Sequence, residues 1–551
     1  MNPVLVNISR GALGMFFLIL VCYLLSNNRR AINWKLVGMG LFAQVMFAMG
    51  VLHTTIAGQP VFWLAFGCIL IYTLFNKFNR VKNKTEGSAI TWDTANISYV
   101  LLWQLLFIVG MILAPRLFGK WTNLSIFISS IAMLVLIFRV GKKHGELMKW
   151  GILLSCVFIT AAVYSKACDP HIFKIILQSV SDVFVSLINI SHKGTEFMFQ
   201  NLADSSKSWG YVFAIQVLPN IIFFAALSSI LYYLGVLQIV VYVFAYLLNK
   251  LRISGAESLS TAANIFLGQT EAPLMIRPYL EKMTRSEILC IMIGGMANTA
   301  GSVLAAYVGF LGGTDIDQQH YFALHMLSQS IMSAPAAIVC SKILFPQTDE
   351  HLVTKDLTVP KEKLGDNFLD ALSLGTTDGL KLAVNVGAML IVFTAIMWVV
   401  NGLMGWIGDI THLNEQIAVS TGGRYNALSL QMVLGYVFSP VAWMIGVPQA
   451  DMVPIGQLLG EKTILNEFVA YISLGQMKAN HIIQDPKSLL IATYALCGFA
   501  NFASIGIQIG GISQLAPNQR RNLTELGVRA LIGGTIACLM CGCIAGALMG
   551  A

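Results

Sequence analysis

The sequence is short of charge. Asp, Glu, Lys and Arg make up only 11% of its 551 residues, where a water-soluble domain carries about 25%. So long a chain with so few charges cannot cover a water-facing surface, which excludes a soluble globular protein. Hydrolase motifs are missing too. Neither His-Glu-x-x-His nor Gly-x-Ser-x-Gly occurs, and the nine His are dispersed, so no enzyme chemistry is indicated. The ten Cys form no disulfide framework and lie mostly inside apolar runs (Cys22, Cys68, Cys156, Cys290, Cys497). Cys538, Cys541 and Cys543 share a Gly/Ala-rich segment without His and read as small packing residues rather than metal ligands. The net charge of +8 is divided into short basic clusters between apolar segments. That pattern reports membrane topology and not nucleic-acid binding.

What the sequence has is hydrophobic length: 56% apolar residues and a mean hydropathy of +0.71. Segments long enough to enter or cross a bilayer run over 11–25, 36–57, 61–76, 97–114, 123–139, 150–165, 211–234, 286–310, 321–345, 378–405, 487–512 and 525–549. The first is followed by "SNNRRAINWK" and reads as a retained span, not a cleaved leader. Residues 171–200 alternate apolar and polar side chains at helical spacing, as a helix lying on the membrane surface does. Residues 256–281 and 450–478 are interrupted by Gly, Pro and charge, which predicts re-entrant hairpins. With the N-terminus outside, the basic clusters fall on one side (Arg29/Arg30, Lys77 to Lys84, Lys142/Lys143, Lys282/Arg285, Lys355 to Lys363, Arg520/Arg521). Arg116 and Lys120 are the misfit.

The chain also matches itself. "ANIFLGQTE" from Ala263 aligns with "LNEFVAYIS" from Leu465 at an offset of 202, and "GGMANTAGSVL" from Gly294 with "CGFANFASIGI" from Cys497 at 203. The two units begin at the spans starting at 211 and 378, with three crossings between, so their orientations are opposite. The expected fold is therefore an all-α polytopic membrane protein. It has an inverted-repeat core with two re-entrant helical hairpins and discontinuous helices, plus surface helices. The expected parts are an N-terminal pair (1–57), an inserted four-helix module (58–167), an interfacial region (168–210), a first repeat with hairpin 1 (211–345), a cytoplasmic connection (346–377) and a second repeat with hairpin 2 (378–551).

Each hairpin carries a carboxylate in a setting where ionisation is costly: Glu271 and Glu467. Amide and hydroxyl neighbours accompany them (Gln269, Thr270, Asn466, Asn501, Ser504). A carboxylate accepts two hydrogen bonds side by side, which suits a vicinal diol, and an amide matches a donor–acceptor edge. These residues point to a small, neutral ligand rich in hydrogen-bond partners. They do not choose among a nucleoside, a sugar and an amino-acid derivative, and they leave a channel or a binding receptor open.

The stretches "SGAESLSTAANIFLGQTEAPL" (254–274), "NEFVAY" (466–471), "CGFANFASIGI" (497–507), "VLPNIIFFAALSSILYYLGV" (217–236) and "LLSNNRRAINWK" (24–35) resemble the concentrative nucleoside transporter family. The resemblance covers about 1–57 and 168–551. It implies an inward-directed, cation-coupled nucleoside symporter of the plasma membrane (the inner membrane in a bacterium), a homotrimer whose hairpin-bearing domains move as elevators through the lipid bilayer. By matched positions, Gln269, Thr270, Glu271 and Val303 are expected to face the base. Glu467, Asn501 and Ser504, with Phe499 alongside, are expected to face the ribose, and Glu271 to orient the neighbouring amide. The sodium set of the family matches Asn264, Leu267, Asn298 and Thr299, with Asn298 standing where the family has Ser. Its amide oxygen is still a hard ligand. Sodium is the expected coupling ion, with a proton as the alternative. No cofactor and no nucleic-acid partner are implied.

Overall fold

A computed structural model describes residues 3–52, 172–203, 212–313, 315–348 and 365–548. Segments 61–76, 97–114, 123–139 and 150–165, with Arg116 and Lys120, lie outside these described residues, as do module 58–167 as a whole and residues 349–364 of the connection. Nearly all described residues belong to one compact unit, formed by residues 1–52 and 177–551. All regular structure among them is helical.

Helices α1 (Pro3–Leu24) and α2 (Trp34–Leu52) open the chain, and α3 (Ile172–Phe199) is the amphipathic helix. One stripe of α3 packs inward through Val185 and Ile188, while Val183, Ile190 and Phe197 stay exposed. Ser181 and Asp182 bind His320, tying α3 to the start of a later helix. Next come α4 (Leu218–Tyr233), α5 (Val236–Asn249) and α6 (Gly255–Ala263). A capping box between Ser254 and Glu257 starts α6. It gives way at Asn264 to turns that run through Glu271 and a 3₁₀ stretch at Ala272–Ile276. The expected single span 286–310 is two helices, α7 (Arg285–Ala297) and α8 (Gly301–Gly312), followed by α9 (Ile316–Leu344).

The second half repeats this order of elements. It begins with α10 (Phe368–Ile410), whose 43 residues span about 65 Å at 1.5 Å per residue. That is twice the roughly 30 Å of a bilayer core, so α10 must tilt or extend past it. A short α11 (Leu413–Ser420) leads to α12 (Leu430–Met444). Helices α13 (Met452–Ile464) and α14 (Glu467–Ala479) form a helical hairpin joined at Leu465–Asn466. The expected span 487–512 is again split, into α15 (Pro486–Leu496) and α16 (Phe502–Leu515), and α17 (Arg520–Leu548) closes the chain.

Burial sorts the helices. The α7–α8 stretch has 94% of its apolar window buried, against 17% for α10. Helix α17 sits in the middle, with α1, α7, α9, α15 and α16 all packed on it. Among the described residues, six stretches are long and apolar enough to cross a membrane.

Breaking a buried helix leaves carbonyls without their i+4 donors. One side chain answers both breaks. Gln329 of α9 donates from Nε2 to the carbonyls of Cys497 at 2.7 Å and Ala297 at 3.3 Å. These are the positions at which α15 and α7 end. The thiol of Cys538 lies 3.3 and 3.5 Å from the same two oxygens. At the second break Gly498 has φ +142, and a Cβ there would lie 2.7 Å from both Ala297 O and Cys538 Sγ. Only glycine fits that turn.

Candidate functional site

The breaks and hairpin ends converge on one buried polar network. Asn466 caps α14 by accepting from the Val469 amide at 2.9 Å, which places Glu467 in the first helical turn. The Glu467 carboxylate accepts from Asn501 Nδ2 at 2.6 Å and from the Tyr307 hydroxyl at 3.2 Å. Asn501 in turn caps α16, its Oδ1 accepting from the Ser504 amide at 2.9 Å. Ser504 Oγ accepts from Gln269 Nε2 at 3.2 Å, a contact between residues 235 positions apart. Gln269, Ser504, Asn501, Glu467 and Tyr307 thus form a continuous chain drawn from both halves of the sequence. Gln269, Ser504, Asn501 and Glu467 are all buried. Among the described residues neither Glu467 nor Glu271 is held in an ion pair.

Local packing explains the "NEFVAY" motif. Tyr307 stacks on Tyr471 with ring centroids 4.3 Å apart and meets Phe468 edge-on at 5.2 Å. The Tyr471 hydroxyl donates to the Thr493 carbonyl at 2.7 Å. The two aromatic residues of the motif therefore fix the hydroxyl that binds the motif's Glu. Lys478 Nζ donates to the Leu311 carbonyl at 2.7 Å, joining α14 to the last turn of α8.

The remaining expected substrate residues, Val303, Thr270 and Glu271 of the base side and Phe499 of the ribose side, take different positions. Val303 is buried on α8, one turn before Tyr307, and Phe499 is buried in the second break. Thr270 and Glu271 are exposed at the bend after α6. Glu271 turns back on its own bend, accepting from the Gly268 amide at 3.2 Å. Among the described residues no hydrogen bond joins Glu271 to the Gln269 amide. That amide is held by Ser504 and by Gln508, whose Nε2 donates to Gln269 Oε1 at 3.1 Å.

The expected cation ligands sit beside this network. Asn264 is 1% exposed at the end of α6, and neither its Oδ1 nor its Nδ2 has a hydrogen-bond partner among the described residues. An orphaned buried amide costs about 1–3 kcal/mol. A hard cation would satisfy its oxygen. Leu267 is buried at the same bend, and Asn298 and Thr299 are buried at the first break. Asn298 donates to the Gly294 carbonyl at 3.2 Å and accepts from the Ser333 hydroxyl. Thr299 Oγ1 lies 3.2 Å from Cys497 Sγ. A donor set of side-chain amide oxygens and backbone carbonyls is all hard oxygen, which fits sodium.

Sequence reasoning missed four partners. Tyr307 looks like any core aromatic, and Gln329 and Gln508 are lone amides in apolar runs whose partners are largely backbone carbonyls. The fourth is a buried ion pair, Lys342 with Glu257, in which Lys342 also donates to Ser286 Oγ at 3.1 Å.

Comparison with known proteins decides the family. Family models described as "Na+ dependent nucleoside transporter" match residues 13–72 at the N-terminus and 325–546 at the C-terminus, and one described as "Nucleoside recognition" matches residues 214–314. An uncharacterized transporter of Haemophilus influenzae is 41% identical over 382 residues, 68% of this chain and 85% of that protein. The chain belongs to the Na+ dependent nucleoside transporter family. Sodium/nucleoside cotransporter 1 of Rattus norvegicus is 37% identical over 434 residues, 75% of this chain and 62% of its own length, so the chain spans less than two thirds of that relative. A solved structure of CNTnw in an inward-facing substrate-bound state superposes with a TM-score of 0.69 at 29% identity, covering 98% of this chain and 99% of that one. Variants of CNTnw are solved in outward-facing states as well. This family member is an integral plasma-membrane transporter and not an enzyme, and its helices match the transporter fold.

Proposed function

We propose that the protein is a symporter that imports nucleosides down a sodium gradient. The observation that carries this reading is the bond chain from Gln269 through Ser504 and Asn501 to Glu467. It joins an amide from the first half to a carboxylate from the second across one buried site. Glu467 keeps acceptor capacity beyond its two protein donors, as two ribose hydroxyls require. Gln269, Thr270, Glu271 and Val303 serve the base, and Asn501, Ser504 and Phe499 flank the sugar. Asn264 and Asn298 supply side-chain oxygens, and Leu267 and Thr299 backbone carbonyls, to the co-transported sodium. Family membership and the orphaned Asn264 amide support that assignment.

Within each subunit of a homotrimer, the hairpin-bearing parts of 211–345 and 378–551 move together as an elevator. The exposed apolar face of α10, including Ile391, Trp398 and Trp406, supports contact with lipid or a neighbouring subunit. The test is uridine uptake into proteoliposomes under an inward sodium gradient, in choline medium, and under a proton gradient alone. Saturable accumulation under sodium only is the expected outcome. Accumulation under the proton gradient alone would overturn the sodium assignment, and non-saturable flux would indicate a channel.

A further inference from the structure

Gln508 is fully buried on α16, two helical turns beyond Asn501. Its Nε2 donates to the Met292 carbonyl of α7 at 3.0 Å and to Gln269 Oε1 at 3.1 Å. A backbone carbonyl is an acceptor only, whereas a side-chain amide has a donor end and an acceptor end. Met292 therefore dictates that Gln508 turns its NH₂ group toward α7. With that group fixed, Gln269 must meet it with Oε1, which points the Gln269 NH₂ group away toward Ser504 Oγ at 3.2 Å. One hydrogen of that NH₂ group is used by Ser504 and one is left.

A second feature shows that space is reserved for this pair. A methyl group at Gly295, one turn along α7 from Met292, would lie 2.7 Å from Gln508 Nε2 and 2.9 Å from Gln269 Cβ. Helix α7 is bare of side chain at the point where the two amides meet it.

We propose that Gln508 is a positioning residue that sets the polarity of the Gln269 amide, so that the site offers an N–H donor to the base. The site then selects nucleobases that present a carbonyl or ring-nitrogen acceptor at that point. This rests on the reading of Gln269 as a base contact. Reversing the Gln269 amide would require two donors to face one another, or Gln508 to abandon Met292. The polarity is thus set by the backbone of α7 and relayed through one side chain.

The test compares uptake of uridine with 4-deoxyuridine, which lacks the O4 acceptor, with 2-thiouridine, in which sulfur, a weak acceptor, replaces O2, and with 3′-deoxyuridine, which is altered only in the sugar. In the natural protein, removal of the relevant base acceptor raises the half-saturation concentration on the order of tenfold. Gln508→Met keeps length but has no amide. It is expected to shrink that base penalty below about threefold and to leave the 3′-deoxy penalty unchanged. Gly295→Ala, which crowds the amide pair from the other side, is expected to give the same signature and serves if Gln508→Met fails to insert. An undiminished base penalty in either inserted variant overturns the proposal, and so does a parallel loss of the base and sugar penalties. Gln269→Ala separates this from the underlying reading: a base penalty that survives Gln269→Ala refutes the base contact itself.

Discussion

Glu467→Gln tests the ribose side of the site. The wild-type carboxylate accepts from Asn501 Nδ2 at 2.6 Å and from the Tyr307 hydroxyl at 3.2 Å. A glutamine must place its NH₂ at one of these positions. Toward Asn501 two donors would collide, so the NH₂ goes to Tyr307, whose hydroxyl can rotate to accept it. The oxygen that remains is neutral, and the edge facing the sugar has lost both its charge and one acceptor. Hydrogen bonds to a charged group are worth about 1.5–3 kcal/mol against about 0.5–1.5 for neutral ones. Weakening one and losing another costs on the order of 1.5–3 kcal/mol in substrate binding. The half-saturation concentration for uridine should therefore rise about tenfold to a hundredfold. The assay is sodium-driven uptake into proteoliposomes, with protein quantity and insertion matched to wild type. A properly inserted variant whose half-saturation stays within twofold of wild type would refute the reasoning.

Three more outcomes follow from the geometry. Gln329→Leu strands the carbonyls of Ala297 and Cys497, and the Cys538 thiol offsets only part of the loss. A destabilisation of about 2–4 kcal/mol should appear as a lower unfolding midpoint of the purified protein, and an unchanged midpoint counts against the staple. Lys342→Met leaves Glu257 buried and unpaired, which costs about 3–5 kcal/mol. Adding Glu257→Leu should recover most of this, and failure to recover would mean the pair does more than neutralise itself. Asn264→Ala removes an expected sodium ligand and should raise the sodium concentration for half-maximal uptake at least tenfold, read from sodium titrations at saturating uridine. An unaltered titration would place the ion elsewhere.

Much of this architecture was legible in the sequence, and the omissions have physical causes. Hydropathy finds apolar length, so 286–310 and 487–512 read as single spans. It has no means of seeing that Asn298 and the Cys497–Asn501 stretch leave helical geometry. The same blindness understated α10, whose ends carry Asp370 and Asp409 and stay helical beyond the apolar run 378–405. Glu467, Asn501, Ser504 and Gln269 stood out because polar groups in apolar runs are costly and because two of the motifs recur. Gln508 and Gln329 are equally anomalous by that standard. Their roles depend on backbone carbonyls of α7 and α15, which no side-chain pattern encodes. Lys342 did not stand out because its acid lies 85 positions earlier.

The central claim is that Glu467 is reserved for sugar hydroxyls while the amide joined to it through Ser504 and Asn501 reads the base. The most direct measurement is the ratio of half-saturation concentrations for 3′-deoxyuridine and uridine, in wild type and in Glu467→Gln. The account predicts a ratio on the order of ten in wild type that falls toward one in the variant. A wild-type ratio near one, or a ratio that survives the substitution intact, would contradict it.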